Sequence, residues 1–246
     1  MANWSDPRPT AAPFGTTRAR AGDAAHDAGL RSYMLSVYNY MASAVLLTGI
    51  VALLFATGGY AAAVFTQPGA LKYVIMFSPL AIVFAMSFGQ GRMSTGTMQA
   101  LFWGFAVLMG LSLSTILLVY SGTSIAQAFF ATAAGFAALS LYGYTTKRDL
   151  SALGTFLIIG VVGLLVASLI NMWTQSDMLA LVISAVGVLI FAGLTAYDTQ
   201  RTKSMYAQVA GTEYEGKVVV MSALSLYLDF INMFLFILRL FGSQRS

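Results

Sequence analysis

Long apolar runs separated by short polar breaks organise this chain. They cover roughly Leu35–Ala56, Tyr73–Phe88, Thr97–Tyr120, Ile125–Tyr144, Ala152–Trp173, Met178–Thr199 and Val218–Leu240. Each approaches the ~20 residues that a helix rising ~1.5 Å per residue needs to cross ~30 Å of hydrocarbon. The runs are continuous and do not alternate with period two, which argues against the ~10-residue strands of an outer-membrane barrel. The pattern predicts an all-α membrane protein with seven transmembrane helices. The second run is the shortest and contains Pro79, which removes a helical hydrogen bond and predicts a kink or tilt. Connections are short except for Thr57–Lys72 and Gln200–Lys217. Residues 1–30 are rich in Ala, Pro, Gly, Thr and Arg and carry few large apolar groups. They are expected to form a flexible tail, without the apolar core of a signal peptide, ahead of a membrane domain over residues 31–242.

Composition strengthens this reading. Of 246 residues, 58% are hydrophobic and 9% are charged, whereas a soluble domain carries about 25% charged residues. The absence of cysteine excludes disulfides and thiolate metal sites. The single histidine, His26, lies in the tail, so a histidine-built zinc site inside the membrane is excluded too. The net charge of +4 reflects loop residues and gives no reason to expect a nucleic-acid partner.

The distribution of basic residues predicts orientation. Ten of the thirteen Lys and Arg residues fall on one side: four in the tail, then Arg92, Lys147, Arg148, Arg201, Lys203 and Lys217. Lys72, Arg239 and Arg245 fall on the other. The positive-inside rule then places the N-terminus in the cytoplasm and the C-terminus outside. A last segment that re-entered without crossing would return the C-terminus to the cytoplasm. Small residues on one face of the fifth run (Gly160, Gly163, Ala167) and on the sixth (Ser184, Gly187) predict close helix packing. No internal repeat is evident, so a transporter built from inverted halves is not supported.

The last run reads VVVMSALSLYLDFINMFLFILRL and holds Asp229 near its centre. A charge there costs roughly 2.5–3.5 kcal/mol on insertion scales. Ser222, Ser225, Asp229 and Asn232 follow each other at steps of three, four and three residues, which puts them on one helical face. Such a stripe should turn toward the bundle interior or a water-filled path. The sixth run carries a similar stripe through Ser184, Gly187, Phe191, Thr195 and Asp198. Asp198 lies near the cytoplasmic end of its run, and Asp229 about 17 Å deep at 1.5 Å per residue. A kink, a tilt or a later start of the last helix would close that gap. If the two acids meet, one proton would be shared between them. Ionised, they could instead hold Ca²⁺ with hydroxyl, amide or water oxygens completing the shell. The plainer readings are a helix-end carboxylate for Asp198 and an internal hydrogen-bond anchor for Asp229. Arg92, in FGQGRMSTG after the second run, is a candidate counter-charge for these acids, or else snorkels to headgroups.

The stretch ALSLYLDFINMFLFILRLFG at 223–242 closely resembles the signature end of the Bax inhibitor-1 family, and AYDTQR at 196–201 resembles its sixth-helix motif. The resemblance, over about residues 30–242, implies seven helices with the last one central and surrounded by the other six. It implies pH-sensitive Ca²⁺ leak, with Asp198 and Asp229 as the paired aspartates and Arg92 as the basic residue that pairs with the sixth-helix acid. Some bacterial relatives carry a carboxylate within the second helix, but SPLAIVFAMSF here has none.

The function expected is therefore non-enzymatic: a proton-gated cation leak channel for Ca²⁺, with Asp198, Asp229 and Arg92 as gating residues and Ser222, Ser225, Asn232 and Thr195 as a polar stripe. No cofactor is expected beyond Ca²⁺ as a permeant or bound ion. The alternative is a membrane modulator that binds a membrane protease or stress-response partner, using the tail as contact element. An intramembrane aspartyl protease is disfavoured because Leu226-Tyr227-Leu228, rather than Gly-x-Gly, precedes Asp229. A retinal protein is disfavoured because no lysine lies deep in the last run.

Overall fold

The computed structural model describes residues 14–244, with side chains from residue 26. Among the described residues it has eight helices: α1 (Phe14–Thr57), α2 (Tyr60–Thr66), α3 (Leu71–Gly89), α4 (Thr95–Val119), α5 (Gly122–Thr145), α6 (Ser151–Thr174), α7 (Asp177–Val209) and α8 (Glu215–Phe241). All but α2 are long and apolar enough to cross a membrane, and they correspond to the seven runs. The chain is an integral membrane protein of all-α class. Helix α2 occupies part of the long connection between the first two spans.

Helix α8 is the core. About 67% of its apolar window is buried, against at most 39% in any other span. It packs on α7, α1, α5 and α4. Its sequence explains this position: alternate turns present Val220, Ala223, Leu224 and Tyr227 to one flank and Leu226, Phe230 and Met233 to others, all nearly fully buried. Helix α6 packs on α7 and α3 on α4, and among the described residues neither makes more than marginal contact with α8. That leaves space beside α8 on both sides of α7.

Three features of the helices bear on the site, and the first two differ from the sequence expectations. First, α7 continues ten residues past Thr199, to Val209. Hydropathy falls where lipid ends, but a helix continues into water wherever its backbone stays paired. The extension is held by Tyr206, whose ring meets Tyr33 at 5.3 Å and His26 at 5.2 Å. The turn that ends it contains Gly211 at φ 70°, a conformation open to glycine. The connection expected over 200–217 thus shrinks to Ala210–Tyr214.

Second, of the stretch expected to be a tail, residues 1–13 lie outside the described residues and Phe14–Leu30 begin α1. Leu30 is already buried.

Third, α3 runs unbroken through Pro79. Proline cannot donate to the carbonyl four residues back, and the Ser78 hydroxyl donates to that Ile75 carbonyl instead, at 3.2 Å.

Helix α8 is long enough to cross fully. Its 27 residues span about 40 Å, and the chain beyond it is tied to the α4–α5 turn. The Ser121 amide donates to the Ser243 carbonyl at 3.1 Å, and the Ser243 amide to Ser124 Oγ at 3.0 Å. The start of α1 lies beside the end of α7, so the two termini of the bundle are at opposite ends. Small residues allow the closest approaches. A Cβ at Gly143 on α5 would overlap the Ala196 carbonyl of α7. A Cβ at Gly160 would meet Ile190 at 2.8 Å, whereas Gly163 of the same expected face has nothing within 4 Å.

Candidate functional site

The extension of α7 removes the apparent difference in depth between the two acids. Asp198 lies eleven residues before the end of α7 and Asp229 fourteen residues after the start of α8. Since the two helices join through a short turn, the residues differ in height by only about 4–5 Å. Both are buried, at 8% and 4% exposure, and their carboxyl groups come within hydrogen-bonding reach of each other. The Ser225 hydroxyl, one turn before Asp229, donates a short hydrogen bond to Asp198 Oδ2. Asp229 Oδ2 is buried with no hydrogen-bond donor. A buried carboxylate oxygen without a donor is costly. A proton on either acid supplies the donor that the pair otherwise lacks.

Two cavities meet at Asp198, and Asp229 lines one of them. One, of about 450 Å³, lies between α6, α7 and α8. The other, of about 290 Å³, lies between α3, α7 and α8 toward the α7–α8 turn and reaches Gln90 at the end of α3. Asp198, Arg201, Ser225 and Leu228 line both. The vacant flanks left by α3 and α6 are therefore where the acids face. Arg201 is the single basic residue lining either cavity among the described residues. It acts on Asp198 electrostatically without a salt bridge to it.

The predicted stripe on α8 is distributed along this space. Ser222 lines the cavity toward the turn, Ser225 both cavities, and Asp229 and Asn232 the larger one. The Asn232 amide donates to the Leu228 carbonyl at 2.8 Å. Thr195 is not part of the site. It is fully buried, lines neither cavity, and its hydroxyl donates to the Phe191 carbonyl of its own helix at 2.8 Å. Arg92 is also apart: it is exposed in the turn after α3, its amide bonds to the Gly89 carbonyl, and its side chain lines neither cavity. The cation nearest the pair is Arg201, one turn along α7 from Asp198. Its spacing of three residues was visible in AYDTQR, but position on a helix extending beyond the apolar run was not.

Comparison with known proteins agrees with the motif at the end of α8. The family described as Inhibitor of apoptosis-promoting Bax1 matches residues 30–246. The chain belongs to the Bax inhibitor-1 family. Similar proteins include an uncharacterized protein of Rickettsia prowazekii, 47% identical over 220 residues (89% of this chain and 93% of that protein). The inner membrane protein YbhL of Escherichia coli K12 is 42% identical over 220 residues (89% and 94%). An uncharacterized protein of Caulobacter vibrioides is 42% identical over 240 residues (93% and 95%). In this Bax inhibitor-1 family member, two carboxylates, a hydroxyl and a nearby guanidinium converge beside the central helix. Among the described residues no group of three or more His, Cys, Asp or Glu side chains converges on a metal position. Two carboxylates alone fall short of the roughly six to eight oxygens that Ca²⁺ takes.

Proposed function

We propose that this protein is a pH-sensitive cation leak channel of a bacterial inner membrane, passing Ca²⁺, in which proton occupancy of Asp198 and Asp229 sets whether α7 and α8 stay together. The observation that carries this reading is the buried carboxyl pair, with an oxygen lacking any donor, at the meeting of two cavities. The relative YbhL, named an inner membrane protein, supports the membrane assigned. The count of basic residues supports a cytoplasmic N-terminus and α7–α8 turn.

With one proton between them, the acids hydrogen-bond across the α7–α8 interface, and Ser225 adds a second link to Asp198. Without it, two anions face each other at low dielectric, and their repulsion separates the helices. The same charge draws a cation into the cavities. Few other charges intervene. Arg201 and the Tyr197 phenol face the pair from α7, while α3 and α6 present no charged side chain to these cavities. Helix α5 meets this part of α7 through Gly143 and Ser140.

Purified protein in vesicles enclosing a Ca²⁺ dye tests the proposal. Flux should rise as pH rises. Asp198→Asn and Asp229→Asn each leave at most one acid to ionise, and should hold flux low at every pH. Unchanged flux and unchanged pH dependence in both variants would overturn the mechanism.

A further inference from the structure

A third cavity, of about 470 Å³, lies on the far side of the larger cavity, toward the α6–α7 turn, and reaches Asn171 and Arg239. Ser168, Asn232 and Phe236 line both. The three spaces thus follow one another along α8, from Ser222 near the α7–α8 turn to Arg239 near the other end.

Phe236 stands at the second junction, and three features hold its ring there. It stacks on Phe191 of α7 at 5.9 Å. It occupies the place that a side chain at position 187 would take, since a Cβ on Gly187 would lie 2.6 Å from the ring. Arg239, one turn later, rests its guanidinium 5.8 Å over the same ring, in the third cavity. A cation–π contact of this kind orients an aromatic face.

Resting on the channel reading above, we propose that Phe236, seated against Gly187 and Phe191, is the barrier separating the aspartate cavities from the α6–α7 side, and that Arg239 makes the outer cavity selective by charge. Where the two cavities share a wall, the ring stands beside Ser168 and Asn232 and sets an apolar face in the way of a hydrated ion. The barrier is distinct from the carboxyl pair: the acids control the joining of α7 and α8, and the ring closes the way out. An ion passing it meets the positive charge of Arg239, which opposes cations unless the side chain swings away.

The natural absence of cysteine permits a test that needs no ion flux. Leu228→Cys reports on the aspartate cavities and Asn171→Cys on the outer one. Membrane-impermeant methanethiosulfonate reagents are applied from the α6–α7 side to full-length protein in vesicles of known orientation. Asn171→Cys should be labelled and Leu228→Cys protected. Adding Phe236→Ala should expose Leu228→Cys by at least tenfold in labelling rate, and Phe236→Tyr, which keeps the ring, should leave it protected. Gly187→Ala displaces the ring without removing it and should also expose Leu228→Cys, so it serves if Phe236→Ala fails to fold. At Asn171→Cys an anionic reagent should react faster than a cationic one, and Arg239→Gln should reduce that ratio. Labelling of Leu228→Cys from this side with Phe236 in place, or continued protection after both ring-displacing changes, overturns the barrier. An unchanged charge ratio in Arg239→Gln overturns the role of Arg239. Absence of Ca²⁺ flux together with the expected labelling would defeat the channel reading alone.

Discussion

Tyr227 and Asp229 stand two residues apart on the central helix, both buried, and their surroundings are opposite. On the Tyr227 side the phenol and the hydroxyl it meets are both paired. The Thr48 hydroxyl donates to the Ala106 carbonyl at 2.9 Å, and Tyr227, 2.8 Å away, donates to Thr48 in turn. Phe105 closes the phenol edge-on at 5.1 Å. This network joins α1, α4 and α8; an apolar cavity of about 250 Å³ lies beside Thr48 but does not reach the phenol. On the Asp229 side an oxygen lacks a donor, two cavities adjoin, and the flanking helices α3 and α6 are not packed against α8. A satisfied buried network rigidifies its surroundings, while a half-satisfied one is costly unless its state can change. One flank of α8 is built to hold, the other to switch.

Substitution can break that contrast. The largest effect is expected on the switching side, where Asp229→Asn should abolish the pH dependence of flux while thermal unfolding in detergent shows no loss of stability. If Asp229→Asn instead destabilises the fold strongly, the acid is an anchor like Tyr227. Next comes Thr48→Val, which strands the Tyr227 hydroxyl. It should cost about 1–3 kcal/mol, measured by denaturant titration, with the pH profile of flux intact. Tyr227→Phe removes the donor and leaves Thr48 still bonded to Ala106, so its cost should be nearer 1 kcal/mol.

The smallest effect is expected at Asp149, an exposed carboxylate between α5 and α6. Hydrogen bonding from the Ser151 side chain and from its amide, 2.9 Å away, holds its pKa below the ordinary carboxylate value. A group depressed on folding contributes stability above its unfolded pKa and loses it as pH falls through the folded one. Asp149→Asn should therefore slightly flatten the acid limb of a stability–pH curve and leave gating unchanged. A shift in the pH of flux would mean that surface carboxylates, and not the buried pair, set the response.

Much of this contrast was legible in the chain. The spans follow from apolar length alone, and the steps of three and four that align Ser222, Ser225, Asp229 and Asn232 survive folding because α8 is a continuous helix. The meeting of Asp198 with Asp229 was not settled by spacing, because hydropathy marks where lipid ends and the helix ends ten residues later. The same boundary hid Arg201 as the nearby cation and left Arg92 as the apparent one. Thr195 shared a helical face with Asp198, but a hydroxyl in a helix can bond back to its own carbonyls. Phe236 was invisible among the apolar residues of its run. Its place depends on what Gly187 omits.

The central helix is also the last in order among the described helices, so it leaves the ribosome after every helix that surrounds it. Chains are made from the N-terminus onward, at roughly 5–20 residues per second. For the time it takes to complete α8, the other helices must wait in the membrane around an unfilled slot. Early pairings such as α1 with α4 can form in that interval, but those that need α8 cannot. The hydrogen bonds from Ser243 to the α4–α5 turn can form only after α8 has been made, which makes them a latch on the assembled bundle. A chain truncated before Val218 would insert helices that have no centre, exposing to membrane quality control the same surfaces that α8 later hides.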